Sequence, residues 1–247
     1  MVDIHTHILP GMDDGAASLR EAVRMAADAV ACGITAVAAT PHFFTPSDPG
    51  SFYRERDAAV EALRSALREA EIPLQVYPGA EVRPDEDFAY APALRAAALG
   101  GSRYLLLELP FRRLTALQVM GIADSARERG YRPVFAHPER YTLFHRDTNI
   151  VNELADQGVY FQVTAQTLAG FGTKEECRFA AALCRANMAQ FLSSDGHGAR
   201  ERRLTIASYE VLRQAGISRK QYEFMTDTAP QCVLSDKSLP ARQAVFL

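Results

Sequence analysis

The chain has 247 residues, of which 48% are hydrophobic, enough for a sizeable core in one α/β domain or two small ones. Its formal net charge of −3 provides no basic field that would bind nucleic acid or an anionic membrane. No apolar run approaches the roughly 18 residues that a membrane span requires, so direct membrane insertion is not expected.

The cysteine content and the first residues indicate the compartment. None of the four cysteines forms a C-x-x-C pair, and small reduced thiols are typical of a cytoplasmic protein. The first predicted strand begins at Val2, so no signal peptide is expected.

Apolar segments alternate with helix-like segments along the whole chain, a pattern typical of parallel strands joined by crossover helices. A capping box at residues 18–21 predicts the start of the first helix, which shows an apolar face of Leu19, Val23, Ala26 and Val30 and stops at Gly33. Later helices are predicted at about 51–71, 85–99, 114–129, 149–156 and 174–186, and two more close the chain. Seven strands are predicted, at residues 2–5, 35–39, 74–77, 104–109, 133–136, 159–163 and 189–192. Without an internal repeat or linker, residues 1–247 are interpreted as one domain.

Two histidines stand at the end of the first strand. His5 and His7 are two residues apart and therefore project to the same side of a strand, where paired imidazoles suit a metal ion. The alternative is an ordinary strand end whose histidines bond to backbone. A Pro- and Gly-rich loop follows, and its neighbouring carboxylates Asp13 and Asp14 compete for a single role at the same place.

The other candidate ligands share this position at strand ends. Since the carboxyl ends of parallel strands converge on one face of an α/β barrel, we expect these side chains to meet there. The candidates beyond the first strand are His42, Glu81, Glu108, His137, Asp195 and His197. The strand at 159–163 lacks an obvious ligand and offers Gln162, Thr164 and Gln166.

With one aspartate of the loop, the set comprises nine nitrogen and oxygen ligands and no thiolate. This is too many for one ion and enough for two, or for three if a carboxylate bridges. Imidazole with carboxylate suits Mn, Zn or Fe. Bridged ions about 3.5–4 Å apart convert a shared water to hydroxide near neutral pH, which suits attack on a phosphorus ester.

Several neighbours of these ligands could serve the substrate. Arg140 is close enough to hold phosphate oxygens with its planar fork. Phe43, Phe44 and Tyr141 either line a leaving-group pocket or belong to the core. The weaker candidates Arg200, Arg202 and Arg203 are mostly expected on a solvated helix face.

Two of the carboxylates have alternative partners. Glu108 interrupts an apolar strand and needs a metal ion or an arginine, because a buried unpaired carboxylate costs several kcal/mol. Glu81 could instead pair with Arg83. No cysteine is followed six residues later by arginine, and no G-x-S-x-G elbow occurs, so cysteine and serine chemistry are not expected.

The ordered motifs resemble those of the PHP (polymerase and histidinol phosphatase) superfamily, and within it the bacterial metal-dependent protein tyrosine phosphatases of capsule and exopolysaccharide loci. The resemblance runs from residue 2 to the C-terminal helices. The residues that carry it are Asp3-Ile4-His5-Thr6-His7, Ile8-Leu9-Pro10-Gly11-Met12-Asp13-Asp14-Gly15, Thr40-Pro41-His42, Gly79-Ala80-Glu81, Glu108, His137-Pro138-Glu139-Arg140-Tyr141 and Ser194-Asp195-Gly196-His197.

This resemblance implies a distorted (β/α)7 TIM-like barrel with a trinuclear site, commonly supported by manganese. It also implies hydrolysis of phosphotyrosine on an autophosphorylating tyrosine kinase that controls polysaccharide export, with Arg140 on the phosphate. His197 or Asp195 could protonate the leaving group. The implied metal ligands are His5, His7, Asp14, His42, Glu81, Glu108, His137, Asp195 and His197.

One departure and three alternatives accompany the resemblance. Gly196 stands where related chains often carry a bulkier residue, and it is expected to loosen the last loop. The alternatives are a small-molecule phosphomonoesterase such as a histidinol phosphatase, a metal-dependent amidohydrolase, and a non-catalytic metal-binding regulator of a kinase. An amidohydrolase would usually use a bridging lysine from the middle of the barrel. This chain offers Glu108 there and no nearby lysine.

Overall fold

The computed structural model describes residues 1–44, 48–84, 88, 94–200, 202–240, 245 and 247. The acidic first turn of the helix predicted at 85–99 lies outside these residues. Its described remainder is not an α-helix, since it consists of 3₁₀ turns at Leu94–Ala96 and Leu99–Gly101. Gly100 and Gly101 have positive φ, which ends any helical path there.

All strand pairs in this part of the chain are parallel, and they form two sheets. One sheet has the order β1-β2-β4, and the other has the order β3-β5-β6-β7-β8-β9. The strands are β1 Val2–Thr6, β2 Ala36–Ala39, β3 His42–Phe44, β4 Gln75–Pro78, β5 Glu81–Arg83, β6 Tyr104–Leu107, β7 Arg132–Ala136, β8 Tyr160–Thr164 and β9 Ala189–Ser193.

The structure thus describes nine strands where seven were predicted, because two predicted strands are each continued by a second short strand. β2 resumes as β3 after Thr40 and Pro41, and β4 resumes as β5 after Gly79 and Ala80. Pro41 cannot donate a ladder hydrogen bond, but its carbonyl accepts one from the Glu81 N–H at 3.1 Å. Each break therefore transfers a strand from one sheet to the other and keeps the neighbouring positions paired.

Hydrogen bonds also connect the last strand position to the first. The Asp195 N–H donates to the His5 carbonyl at 3.0 Å, and the His7 N–H donates to the Gly196 carbonyl at 2.8 Å. If β2 with β3 and β4 with β5 are each counted as one position, seven parallel strand positions follow one another. The end of β9 lies beside β1. The α/β class and the distorted seven-position TIM-like arrangement are confirmed.

Helices connect the strands, and none of those described is both long and apolar enough to cross a bilayer. Most predicted helices are confirmed to within a few residues at their ends. The α-helices are α1 Leu19–Ala31, α2 Pro49–Glu69, α3 Ala116–Glu128, α4 Thr142–Arg146, α5 Thr148–Asp156, α6 Ala165–Leu168, α7 Lys174–Arg185, α8 Tyr209–Leu212, α9 Arg219–Glu223 and α10 Ala229–Leu234.

The first helix differs from its prediction in its cap and in its buried face. The Ser18 hydroxyl accepts from the Glu21 N–H, but the Glu21 carboxylate accepts from the Ala17 N–H, so the reciprocal capping box is incomplete. Leu19 is exposed, and the buried residues of α1 are Ala22, Met25, Ala26 and Ala29. The predicted face and the buried face are adjacent apolar stripes of this helix. Packing against neighbouring elements buries the stripe that is rich in alanine.

Candidate metal centre

Imidazoles and carboxylates meet where the strands end. In the described part of the chain, three groups of residues each have ligand atoms within 4.8 Å of one another. The first group comes from three chain segments, and the others share His7 or His42 with it. The groups are His7, Asp14, His42 and His197; His5, His7 and Glu81; and His42, Glu81 and Glu108.

Glu81 lies between four imidazoles. Its Oε1 is 2.9 Å from His137 Nε2 and 3.3 Å from His5 Nε2. Its Oε2 is 3.0 Å from His42 Nδ1 and 3.4 Å from His7 Nε2. Burial alone would raise the pKa of Glu81, but His5 and the other facing imidazoles hold that pKa well below its ordinary value. The side chain is therefore an ionised carboxylate that faces four imidazoles.

His5 and His7 point their Nε2 atoms at each other, 3.3 Å apart. His5 Nδ1 faces Gln162 Oε1 at 2.7 Å, and His7 Nδ1 faces Asp13 Oδ2 at 2.6 Å. We assign the ring protons to these Nδ1 atoms because each faces an acceptor. Once the Nε2 atoms are deprotonated, their two lone pairs converge, an arrangement that a shared cation stabilises.

Two further observations test whether the site fits metal ions. His197 Nε2 is buried without a hydrogen-bond partner among the described residues, and it lies 3.3 Å from Asp14 Oδ1. Burial opposes a charge on His7, yet Asp13 and Glu81 raise the pKa of His7 to about 10, so the centre attracts positive charge. A buried set of imidazoles and carboxylates with these properties fits divalent ions.

The two aspartates of the first loop have different positions. Asp13 lies behind His7, and its carboxylate also accepts from the N–H groups of Gly15 and His42. Burial opposes this charge, but the His7 contact and these hydrogen bonds lower the pKa of Asp13 to about 2. Asp14 is exposed and faces His42 and His197 at 3.5 and 3.3 Å. Asp14 is thus the aspartate among the clustered ligand atoms, and Asp13 orients His7.

Asp195 uses its two oxygens differently. Oδ1 lies 3.4 Å from His5 Nε2 and 3.5 Å from His197 Nδ1. Oδ2 accepts hydrogen bonds from Arg140 at 2.6 Å and from Arg202 at 2.9 Å. Burial would raise the pKa of Asp195, but His5 and Arg140 lower it strongly. Asp195 therefore connects the imidazole cluster to two guanidinium groups.

Arg202 is the residue whose importance the sequence analysis underestimated. The helix expected directly after His197 is absent from the described residues there, where α8 begins only at Tyr209. The segment instead folds back, since the His197 N–H donates to the Arg202 carbonyl at 2.7 Å. Arg203 pairs with Asp28 at 2.9 Å, and Arg200 is exposed. Of the three arginines, Arg202 thus contacts the clustered side chains.

Glu108 and Glu81 differ in the partners that the structure gives them. Glu108 has both kinds of neighbour, because Arg83 Nη2 lies 2.6 Å from its Oε2 and His42 Nδ1 lies 3.8 Å from it. Glu108 is therefore paired with Arg83 and also belongs to one of the three ligand groups, whereas Glu81 faces imidazoles. Burial and the Glu81 charge raise the pKa of Glu108.

The aromatic neighbours differ from expectation in one case. Phe43 is buried and packs on Phe52 with ring centroids 4.7 Å apart, so we correct its assignment from substrate contact to core. Strand alternation turns Phe44 the other way, where it is exposed and stacks on His42. Tyr141 is buried, with its hydroxyl 3.4 Å from His137 Nδ1.

Phe111 was missed in the sequence. It is exposed and lies parallel to Tyr141 and His137, and the Arg83 guanidinium lies over it at 5.4 Å. Its position three residues after Glu108, just past a strand end, is the signal that could have identified it.

Gly196 also contradicts its expectation, because it tightens the last loop. Its carbonyl accepts from the His7 N–H and the Thr6 hydroxyl, and its N–H donates to the Ser194 hydroxyl. A Cβ at Gly196 would lie 2.6 Å from the Leu204 Cα, closer than a Cβ can approach a backbone atom. Glycine here permits close approach of two backbone segments.

Substitution of Gln162 tests whether this side chain orients the His5 ring. The Gln162→Leu variant keeps the side-chain volume but loses the acceptor for His5 Nδ1. We expect metal affinity or activity to fall about 10- to 100-fold, as is typical when a residue that orients a ligand is removed. Metal titration by calorimetry measures the effect, and Gln166→Leu is the matched control. Unchanged affinity in Gln162→Leu would contradict this role for Gln162.

The fold and the clustered side chains define an α/β barrel-like protein with a candidate centre for several metal ions. The chain belongs to the family described as "Capsular polysaccharide synthesis, CpsB/CapC", whose model matches residues 1–234.

Individual relatives agree with this membership. The tyrosine-protein phosphatase YwqE of Bacillus subtilis is 35% identical over 210 residues, covering 82% of this chain and 79% of YwqE. The tyrosine-protein phosphatase CpsB of Streptococcus pneumoniae is 25% identical and covers 96% of this chain and 99% of CpsB. A solved structure, from crystal structures of YwqE and CpsB described as unique metal-dependent tyrosine phosphatases, matches with a TM-score of 0.86 and 31% identity over 100% of this chain and 99% of the other.

Proposed function

We propose that this protein is a metal-dependent phosphoric monoester hydrolase that acts on phosphotyrosine in a protein substrate. The observation that carries the proposal is Asp195, which joins the imidazole cluster through one oxygen and Arg140 through the other. A guanidinium group of the kind that binds phosphate therefore lies next to the candidate metal centre. Family membership and the tyrosine phosphatase relatives support the same conclusion.

The proposed ligands would hold two or three divalent ions, of which Mn is favoured and Zn, Fe and Mg are alternatives. Glu81 and Asp195 would each serve more than one ion, and their contacts with more than one imidazole support this role. The proposed ligand set is His5, His7, Asp14, His42, Glu81, Glu108, His137, Asp195 and His197.

Divalent ions at this centre would supply a water of lowered pKa and a positive field for the phosphoryl oxygens. Arg140 would bind non-bridging oxygens of the phosphate, and the ion pair with Asp195 fixes its guanidinium for that purpose. The lowered pKa of Asp195 favours a carboxylate that anchors Arg140 over a proton donor. His197 is the remaining donor for the leaving oxygen, and a tyrosinate needs little such help.

The substrate of this reaction would be the phosphotyrosine of an autophosphorylating bacterial tyrosine kinase. The family description connects the chain to capsular polysaccharide synthesis, so we propose that such a kinase regulates polysaccharide assembly. A kinase that consumes ATP presents its phosphotyrosine in the cytoplasm, where we propose that this chain acts.

A metal-reconstitution assay tests the proposal. The purified protein is analysed for bound metals and assayed on p-nitrophenyl phosphate before and after chelation, with Mn, Zn and Mg added back separately. We expect two or three ions per chain, loss of activity on chelation, and recovery with at least one ion. The metal-loaded protein is then compared on a phosphotyrosine peptide and on histidinol phosphate.

Each other outcome would change the assignment. Preference for histidinol phosphate would favour a small-molecule phosphatase. Bound metal without hydrolysis of any phosphate ester would favour a regulatory metal protein. A protein that binds no metal would contradict the proposal as a whole.

A further inference from the structure

A groove lies beside Arg140, and we call it the arginine groove. It has a volume of ≈ 440 Å³ and is lined by residues of segments 109–114 and 140–146. Among the described residues that line it, four are arginines, namely Arg112, Arg113, Arg140 and Arg146, and none is acidic. Since the whole chain carries a net charge of −3, this accumulation of positive charge is local.

The arginines of the groove differ in their partners. Arg140 is paired with Asp195 and so belongs to the candidate centre. Arg112, Arg113 and Arg146 are exposed, and within the described part of the chain none of them forms an ion pair. Three guanidinium groups that face the same space without counter-charges favour an anionic occupant.

The groove is continuous with the position proposed for the phosphotyrosine. Arg140 and Tyr141 line it, and the Tyr141 hydroxyl lies 3.4 Å from His137 Nδ1 in the candidate centre. Phe111 lines it as well and lies parallel to the His137 ring. A residue attached to the reacting phosphotyrosine would enter the groove within a few positions, since an extended chain advances about 3.3–3.6 Å per residue.

We propose that the arginine groove binds carboxylate side chains of the substrate peptide, next to the reacting phosphotyrosine. This inference rests on the proposed phosphatase function and adds the class of sequence that the enzyme prefers. The guanidinium fork matches a carboxylate in bidentate geometry. Aspartate and glutamate on one side of the phosphotyrosine would enter the groove, while a basic segment would be repelled.

The test compares phosphotyrosine peptides with the metal-loaded protein. One peptide has alanines on both sides of the phosphotyrosine, and two others carry three glutamates on either the N-terminal or the C-terminal side. We expect one acidic peptide to show a kcat/KM about three- to tenfold above the neutral peptide, because exposed ion pairs contribute modestly. The preference should shrink as salt is added.

Charge reversal assigns the preference to the groove. In Arg112→Glu and Arg113→Glu, the ratio of kcat/KM for the acidic and the neutral peptide is expected to fall to one or below, and peptides with three lysines should gain. The matched control is Arg68→Glu, an exposed arginine of α2 at the cavity beside the start of β4, and it should keep the wild-type ratio.

The outcomes separate this inference from the proposed function. If the neutral peptide is hydrolysed but neither acidic peptide is preferred, the inference is wrong and the phosphatase assignment stands. The inference would also be wrong if the preference for the acidic peptide persisted in Arg112→Glu and Arg113→Glu. It would likewise be wrong if a peptide with a second phosphotyrosine were preferred over the neutral peptide while neither glutamate peptide was. If no phosphotyrosine peptide is hydrolysed at all, the proposed function has failed.

Discussion

The His7→Ala variant is expected to hydrolyse phosphotyrosine more than about 100-fold more slowly than the wild type. This loss exceeds the typical cost of removing a residue that only orients a metal ligand. His7 belongs to two of the three ligand groups, and its ring stacks on His197 at a centroid distance of 3.8 Å. Its loss would therefore weaken the binding of more than one ion. Steady-state kinetics and the metal content of the purified variant measure the two effects together.

His145→Ala is the matched control, because His145 lies outside the three groups and outside the proposed ligand set. Its Nε2 faces the Glu139 carbonyl at 2.7 Å, and its ring packs on Phe179. We expect the metal content of this variant to equal that of the wild type. The proposed mechanism would be wrong if His7→Ala and Asp195→Ala both retained full activity.

The Gly15→Ala variant is expected to disturb the centre without removing a ligand. A Cβ at Gly15 would lie well inside van der Waals contact of the His7 carbonyl oxygen, a backbone atom that cannot rotate away. This carbonyl accepts from the Ala16 N–H, and Asp13 accepts from the Gly15 N–H, so the loop with Asp13 and Asp14 would have to move. Overpacking of this kind costs about 1–3 kcal/mol of stability. We expect such a loss in urea unfolding together with at least about a tenfold loss in activity.

Gly121→Ala serves as the control for Gly15→Ala. Gly121 lies within α3, and a Cβ there would have nothing within 4 Å. Alanine is the better helix former by about 0.5–1 kcal/mol, so this variant should be slightly more stable and fully active. Equal behaviour of the two alanine variants would contradict the close packing inferred at Gly15.

Much of the architecture could be predicted because its signals are local. Alternating apolar and amphipathic segments placed the strands at β1, β6, β7, β8 and β9 within two residues of their observed limits. The short strands β3 and β5 were missed, because Thr40-Pro41 and Pro78-Gly79 ended the predicted strands before them. β3 pairs with β5, and β5 pairs with β6, so contacts between segments distant in the chain decide which sheet they join.

The residues that orient the candidate ligands could not be predicted in the same way. Gln162 lies 157 positions from His5 in the chain, and Arg202 reaches Asp195 only because the intervening segment folds back. Asp13 and Asp14 are adjacent carboxylates of the same loop, and only their contacts distinguish them. Each of these roles depends on long-range packing, for which the sequence contains no periodic signal.

The sequence by itself determined the fold class and the set of side chains available to a metal centre, because strand ends and ligand types can both be recognised locally. The tertiary structure decided how these side chains are used. It directs Phe43 into the core and Phe44 towards His42, pairs Arg83 with Glu108, and makes Gly196 a point of close backbone contact. The physical reason is that orientation, ion pairing and steric exclusion arise only when distant segments meet.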